Sequence, residues 1–272
     1  MKPAVTAAAD ANSSVHKACR LLRALSDPRN DRLTAIAAAA GVDKATSMRL
    51  LNVLASEGLV ERDVANKRYA LGRDLVLLGA AARNRIDLRT IARPALIQLA
   101  ATFEDTAILS LPSGLETVCA DLQFGAFAIR ANYLDIGSRR PLGVGAGSLA
   151  ILAWMHDDEI RAALPHILPM LEKYPRITRR FLENQIARSR SRGYVVMLDA
   201  VVEQMGGIAV PILGPDGHPM GALSVAALSE RIASRETALA AGLRAEVATI
   251  AACWDVKRAS RRARAPGRMA AQ

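Results

Sequence analysis

The sequence predicts an α+β chain: an N-terminal winged helix-turn-helix, a connector helix and a C-terminal domain in which helices pack on a mainly antiparallel sheet. Three observations predict it. Residues 33–58 read as two short helices around a glycine turn and run into a hairpin with a basic tip. Strand-like runs between 106 and 133 and between 194 and 227 alternate with turn signals. Finally, 272 residues suffice for two separate cores. The expected divisions are a disordered arm over 1–12, the winged domain over 13–73, the connector over 74–86, a second domain over 87–256 and a basic tail over 257–272.

The leading helix spans residues 14–26, with Val15, Ala18, Leu21, Leu22 and Leu25 as its apolar stripe. Thr34 is placed to cap the next helix, whose run Ala37 to Ala40 permits close crossing. Gly41 supplies a turn at positive φ, and Val42 points back into the core. Asp43 caps the following helix, where Ser47, Leu50, Leu51 and Leu54 fall at i, i+3, i+4 and i+7 and define a buried face. Ala45, Arg49, Asn52 and Ser56 share the opposite face. Arg49 and Asn52 are the types that make bidentate contacts with guanine and adenine edges in a major groove, and Lys44, Ala45 and Thr46 complete the reading set. After Gly58, LVERD and KRYAL read as two strands joined by a tight turn, which puts Lys67 and Arg68 on a wing tip suited to phosphate contacts. An ordinary packed helical hairpin shares the alanine-rich helices. The glycine spacing, the basic wing and the leading helix together favour double-stranded DNA as the partner.

An apolar helical stripe over 74–85 follows the wing directly, and a second helix runs over 87–103 with Pro94 near its start or at a kink. Strands are expected over 106–111, 115–122 and 126–133, then over 194–197, 207–213 and 220–227. The last two flank Gly214-Pro215-Asp216-Gly217, a strong hairpin turn. Between the two groups lie an apolar helix to Met155, opened by Gly145-Ala146-Gly147-Ser148, and a charged helical stretch over 156–193. A closing helix covers 234–254.

Charge separates the parts. Residues 1–74 hold 12 Lys+Arg against 8 Asp+Glu, residues 75–256 hold 18 against 18, and residues 257–272 hold 6 against 0. A neutral second domain argues against a nucleic-acid groove there and for a small-molecule or partner role. The basic tail reads as a solvated, disordered extension or as a source of non-specific DNA affinity, and the sequence leaves both open. Cys19, Cys119 and Cys253 have no disulfide or zinc spacing, so a reducing cytoplasm is expected. Neither a signal peptide nor a membrane span is seen. Consecutive His156, Asp157, Asp158 and Glu159 point in different directions on a helix, and the four histidines read as solvated or capping groups, so no metal or cofactor is expected.

KATSMRLLNVLASEGLVERD with KRYALG, RRPLGVGAGSLAILA, and RGYVVMLDAVVEQMGGIAVPILGPDGHPMGALSVAAL occur in the order of the recognition helix and wing, the small-residue turn and the C-terminal signature of the IclR family. Over residues 13–256 the chain resembles these bacterial transcription regulators. The resemblance implies a GAF-like effector domain, dimers or dimers of dimers, and control by a small, often carboxylate-bearing metabolite. It implies an effector site at Gly145, Ala146, Gly147, Met197, Gly207, Ser224 and Ala226. The family's acidic residue falls on Met197, its cysteine on Gly207 and its second small hydroxyl on Ala226, while Ser224 keeps the first. The common glycine before the helix is Ser148. These departures imply a less polar, roomier pocket and weigh against a two-carbon acid such as glyoxylate.

The glycine-rich turn opens a helix, whose free N–H groups and dipole favour a bound anion; a tight strand-to-helix turn uses the same residues. It lacks the Lys-Ser/Thr ending of a P-loop. Ser148 and Ser224 invite a hydrolase reading, but no Gly-x-Ser-x-Gly elbow supports it, so no enzyme activity is expected. The expected function is sequence-specific operator binding controlled by a small organic acid, the less polar pocket favouring an aromatic one. The alternatives are an enzyme-like or a ligand-free second domain tethered to DNA.

Overall fold

The computed structural model describes residues 13–63, 65–83, 88–130 and 134–264. The arm over 1–12 and the tail beyond 264 lie outside them. The chain divides into two compact units, residues 1–85 and 86–272.

In the first unit, α1 (Ser14–Ala24), α2 (Leu33–Ala40) and α3 (Lys44–Ser56) precede a two-stranded antiparallel sheet of β1 (Val60–Asp63) and β2 (Arg68–Leu71), followed by α4 (Asp74–Arg83). Ser13 caps α1 by accepting a bond from the His16 N–H. Leu21, Ile36, Leu51 and Tyr69 meet in one core, and Gly41 turns the chain at φ 59° between α2 and α3. Thr34 does not cap α2. The helix starts at Leu33 with Arg32 as its cap residue, because 31–32 is held extended against the wing: the Tyr69 N–H donates to Asp31 O at 2.7 Å, and Arg32 bridges Arg68.

In the second unit, α5 (Leu88–Phe103), with Pro94 in its second turn, leads to β3 (Thr106–Ser113), β4 (Glu116–Gln123) and β5 (Arg139–Pro141). Then come α6 (Ala146–Ala153), α7 (Asp157–Ile167), a 3-10 turn, α8 (Arg179–Arg192), β6 (Val195–Leu198), β7 (Met205–Leu213), β8 (Pro219–Leu228), α9 (Ser229–Ser234) and α10 (Glu236–Arg264). The six strands form one antiparallel sheet in the order β5-β4-β3-β8-β7-β6. Leu96 and Leu99 of α5 and Leu239 and Leu243 of α10 cover one face, against Ile208, Val210, Leu223 and Val225. On the other, α6 and α8 bury Leu149, Leu152 and Leu182 with Met197, Ala209 and Ala222. Each such fully buried leucine contributes about 1.5–3 kcal/mol of apolar transfer energy. Two faces buried at once explain why β7 and β8 read as continuous apolar runs.

Two expectations are corrected here. Residues 126–130 form bends, not a strand; 131–133 lie outside the described residues. Gly125 abuts the backbone of Glu104, where any Cβ would fall 2.0 Å from its carbonyl carbon, and the Phe127 N–H donates to Glu104 O at 2.9 Å. The chain is thereby pulled off the sheet, and β5 takes the free edge of β4 instead. Second, α10 runs on through 257–264, past the 234–254 expected of the closing helix; residues 257–265 hold neither Gly nor Pro.

Candidate nucleic-acid interface and effector cavity

The turn after α2 orients α3. Asp43 accepts a bond from the Thr46 N–H at 2.8 Å, and that bond, with Lys17 nearby, holds its carboxyl below the usual carboxylate range. Ser47, Leu50, Leu51 and Leu54 are buried, and the Ser47 hydroxyl donates to Val42 O. Lys44, Ala45, Arg49 and Asn52 are exposed and Thr46 half-buried. Lys44, Arg49 and Asn52 have no side-chain hydrogen bond or ion pair among the described residues, so a base edge or phosphate meets no competitor for them.

On the wing, Asp63 accepts bonds from the Ala65 and Asn66 N–H groups, and Lys67 takes the left-handed conformation at φ 54°. Arg68 keeps more than half of its side chain exposed on the wing and also has a partner within the unit. Its guanidinium pairs with Asp31 at 2.7 Å, tying the wing to the segment before α2.

The cavity of the second unit is built by sheet register. Met197 lies opposite Gly207 and Gly207 opposite Ala226, so one row crosses three strands. In the next row Ser224 faces Ile108, and Ser110, two residues on, faces Cys119. These side chains share one sheet face, and α6 lies over it. Gly145 at φ 90° caps α6, and the first bond back into the helix runs from the Leu149 N–H to Gly145 O at 2.9 Å, so the Ala146 and Gly147 N–H groups have no acceptor within the helix. Gly147 packs against the sheet: a Cβ there would fall 2.8 Å from Ser110 Oγ and 3.3 Å from Ser224 Oγ. The resulting cavity, about 60 Å³, is lined by all seven expected effector residues together with Ser110, Thr117, Cys119 and Arg140.

Several details were not expected. Ser148 accepts from the Gly143 N–H at 3.1 Å and donates to Pro141 O at 3.0 Å, so its hydroxyl locks the turn. Gly207 leaves no spare room, because the Ala146 methyl would lie 3.1 Å from a Cβ placed there. Thr117 and Cys119 alternate on one face of β4, and Arg140 follows from the edge strand β5. Sequence reasoning missed them; the one signal was Ser110, a hydroxyl between Leu109 and Leu111 in a largely apolar strand. Burial pushes the Cys119 thiol up to about 11, with Asp121 and Asp135 adding to the shift, which keeps it neutral. No histidine or carboxylate lines the cavity among the described residues, so its hydroxyls have no general base there and the arrangement is suited to binding. His156 caps α7, and His218 Nε2 lies 3.1 Å from Glu159.

A helix-turn-helix reader joined in one chain to a cavity-bearing α+β domain is the organisation of a ligand-responsive transcription regulator. Residues 80–252 match the family model of the bacterial transcriptional regulator IclR C-terminal domain and residues 14–64 that of the IclR helix-turn-helix domain; the chain belongs to the IclR family. It is 27% identical over 234 residues to the HTH-type transcriptional regulator XynR of Escherichia coli, covering 83% of this chain and 90% of that protein. With KdgR of the same organism it is 27% identical over 222 residues, covering 79% and 82%. Among solved structures, a putative IclR transcriptional regulator from Silicibacter superposes with TM-score 0.76 at 25% identity, covering 89% of this chain and 96% of that one. An IclR homologue from Microbacterium hydrocarbonoxydans, complexed with 4-hydroxybenzoate, does so at 0.68 and 21%, covering 90% and 100%. The chain is thus a transcriptional regulator with a DNA-binding and an effector domain. Among the described residues no helix is long and apolar enough to cross a membrane.

Proposed function

We propose that operator binding by this regulator is controlled by a small organic acid held in the cavity beneath α6. The observation that carries the reading is the composition of that cavity: a helix start with N–H groups lacking acceptors within the helix, the five hydroxyls of Ser110, Thr117, Ser138, Ser148 and Ser224 and a guanidinium, with no base beside them among the described residues. A ligand-free architectural role calls for a filled second core, which the cavity weighs against, and the missing base weighs against a tethered enzyme. At about 60 Å³ the space takes about four waters. A bulkier acid therefore needs the 199–204 loop, whose Val201 and Val202 line the cavity, to yield.

In the reading unit, Lys44, Ala45, Thr46, Arg49 and Asn52 meet the major groove, Lys67 holds a phosphate, and Arg68 shapes the wing. Val76, Leu77 and Leu78 of α4 are each more than half exposed, an apolar run that a second copy of the chain covers in the assembly we propose. A symmetric dimer, or a dimer of dimers, then reads a palindromic operator. The effector acts by linkage: it favours one arrangement of the assembly, so operator DNA changes effector affinity by the same factor.

The test is thermal unfolding against a panel of aliphatic and aromatic acids, followed by operator titration with and without each hit. An acid present at a hundred times its dissociation constant raises stability by about 2.7 kcal/mol. A panel that gives no shift at millimolar concentration, or a hit that leaves operator affinity unchanged, refutes the proposal. Light scattering that finds a monomer, with a footprint of one half-site, refutes the assembly.

A further inference from the structure

Arg140 is the one charged side chain among the described residues that line the cavity. It belongs to β5, at the edge of the sheet, and β5 lies three strands from β8, which carries Ser224. That is about 14 Å at the usual strand spacing. The two residues therefore approach the cavity from opposite sides. A Cβ placed on Gly145 would lie 3.5 Å from an Arg140 guanidinium nitrogen, so the cation reaches the first turn of α6. Guanidinium and helix start, two independent sources of positive potential, thus converge on one region of the wall. The far side differs. There Ser110 and Ser224 close on Gly147, and their hydroxyls are neutral donors and acceptors.

We propose that Arg140 is the specificity-determining residue of the effector site: it receives the carboxylate of a monoanionic acid beside Gly145, while Ser110 and Ser224 take a neutral hydroxyl or carbonyl at the other end of the molecule. The inference rests on the organic-acid reading above and adds to it the charge and the polarity of the ligand. The planar guanidinium fork matches a carboxylate in a bidentate manner that a lysine ammonium does not. Among the described residues no second cation lines the far side, so a second carboxylate there would lose its water to hydroxyls alone, and dicarboxylates are disfavoured. Arg140 sits directly before Pro141, whose ring fixes the backbone, and Pro141 O holds Ser148 at 3.0 Å. The guanidinium is thus carried by the same locked turn that opens α6.

The experiment compares matched acid and amide probes by calorimetry on the full chain: 4-hydroxybenzoate with 4-hydroxybenzamide, and lactate with lactamide, with succinate as a dianion. Wild type is expected to bind at least one acid ten or more times more tightly than its amide, and more tightly than succinate. Arg140→Met should lose at least tenfold for that acid and leave the amide unchanged, so that the preference collapses; Arg140→Lys should fall between. An Arg140→Met protein that keeps the preference overturns the inference and leaves the organic-acid reading standing. A wild type that binds no acid, or binds amides equally well, overturns both. If melting and operator binding show that Arg140→Met is misfolded, Arg140→Lys decides: acid affinity unchanged from wild type overturns the inference.

Discussion

Gly147→Ala tests the cavity most directly, because the added methyl has a known destination. It lands 2.8 Å from Ser110 Oγ, 3.3 Å from Ser224 Oγ and 3.4 Å from Ser110 Cβ. Alanine stabilises a helix over glycine by about 0.5–1 kcal/mol, whereas forcing a methyl into a packed site costs about 1–3 kcal/mol. The balance is a loss of up to about 2.5 kcal/mol, or up to about 10 °C in melting temperature for a domain of this size. Because the methyl also occupies the space between α6 and the two serines, effector affinity falls at least tenfold, while operator affinity, set in the other unit, is unchanged. Ser110→Ala in the same background removes the shortest contact and restores about 1 kcal/mol, a coupling visible in a double-mutant cycle of thermal melts. Should Gly147→Ala melt at or above wild type and the two changes add within about 0.5 kcal/mol, α6 does not approach the sheet as described.

Arg49→Ala lowers operator affinity by about 1–3 kcal/mol and relaxes sequence preference in gel-shift titrations. Lys67→Ala weakens all sequences alike and reduces the salt slope by about one, whereas Arg68→Ala lowers the melting temperature of the winged unit through loss of the Asp31 pair; equal DNA effects of the two wing changes contradict this division. Asp105→Ala strips the buried counter-charge from Arg231 and Arg235 and costs about 3–5 kcal/mol in denaturant titrations. At pH 8, iodoacetamide labels exposed Cys19 and Cys253 well before Cys119 in mass spectra. The Cys119 thiol is raised from 9.0 to about 11 in the fold, so its contribution to stability is complete below pH 9 and is lost as pH rises toward 11.

What the sequence made legible was local. The α3 face was readable because Ser47, Leu50, Leu51 and Leu54 meet partners dictated by helical period, and the Asp43 cap acts within one turn. The errors trace to distant partners. Thr34 lost the cap of α2 to Arg32 because 31–32 answers to β2, more than thirty residues later. Residues 126–130 have a strand-like composition, yet their backbone answers to Glu104. In the cavity, Gly145, Ala146 and Gly147 announced themselves as a glycine-rich helix start. Ser110 and Arg140 did not, because strand register between segments more than a hundred residues apart brings Ser110 beside Ser224. The room expected at Gly207 failed for the same reason: Ala146, from another element, already fills it.

The anchoring of Asp105 has a consequence for how the chain is made. This carboxylate, at the junction of α5 and β3, is held by Arg231 and Arg235, and both arginines also donate to Phe103 O. β3 likewise takes β8, from far down the sequence, as its inner neighbour. A nascent chain emerging from the ribosome therefore carries α5 and β3 for more than a hundred residues before β8 and α10 exist to cover them. The winged unit, whose contacts are short in sequence, finishes well before them. Ribosome-stalled chains ending near residue 205 should resist protease over the reading head alone, with the rest digested or shielded by chaperones until α10 has cleared the exit tunnel.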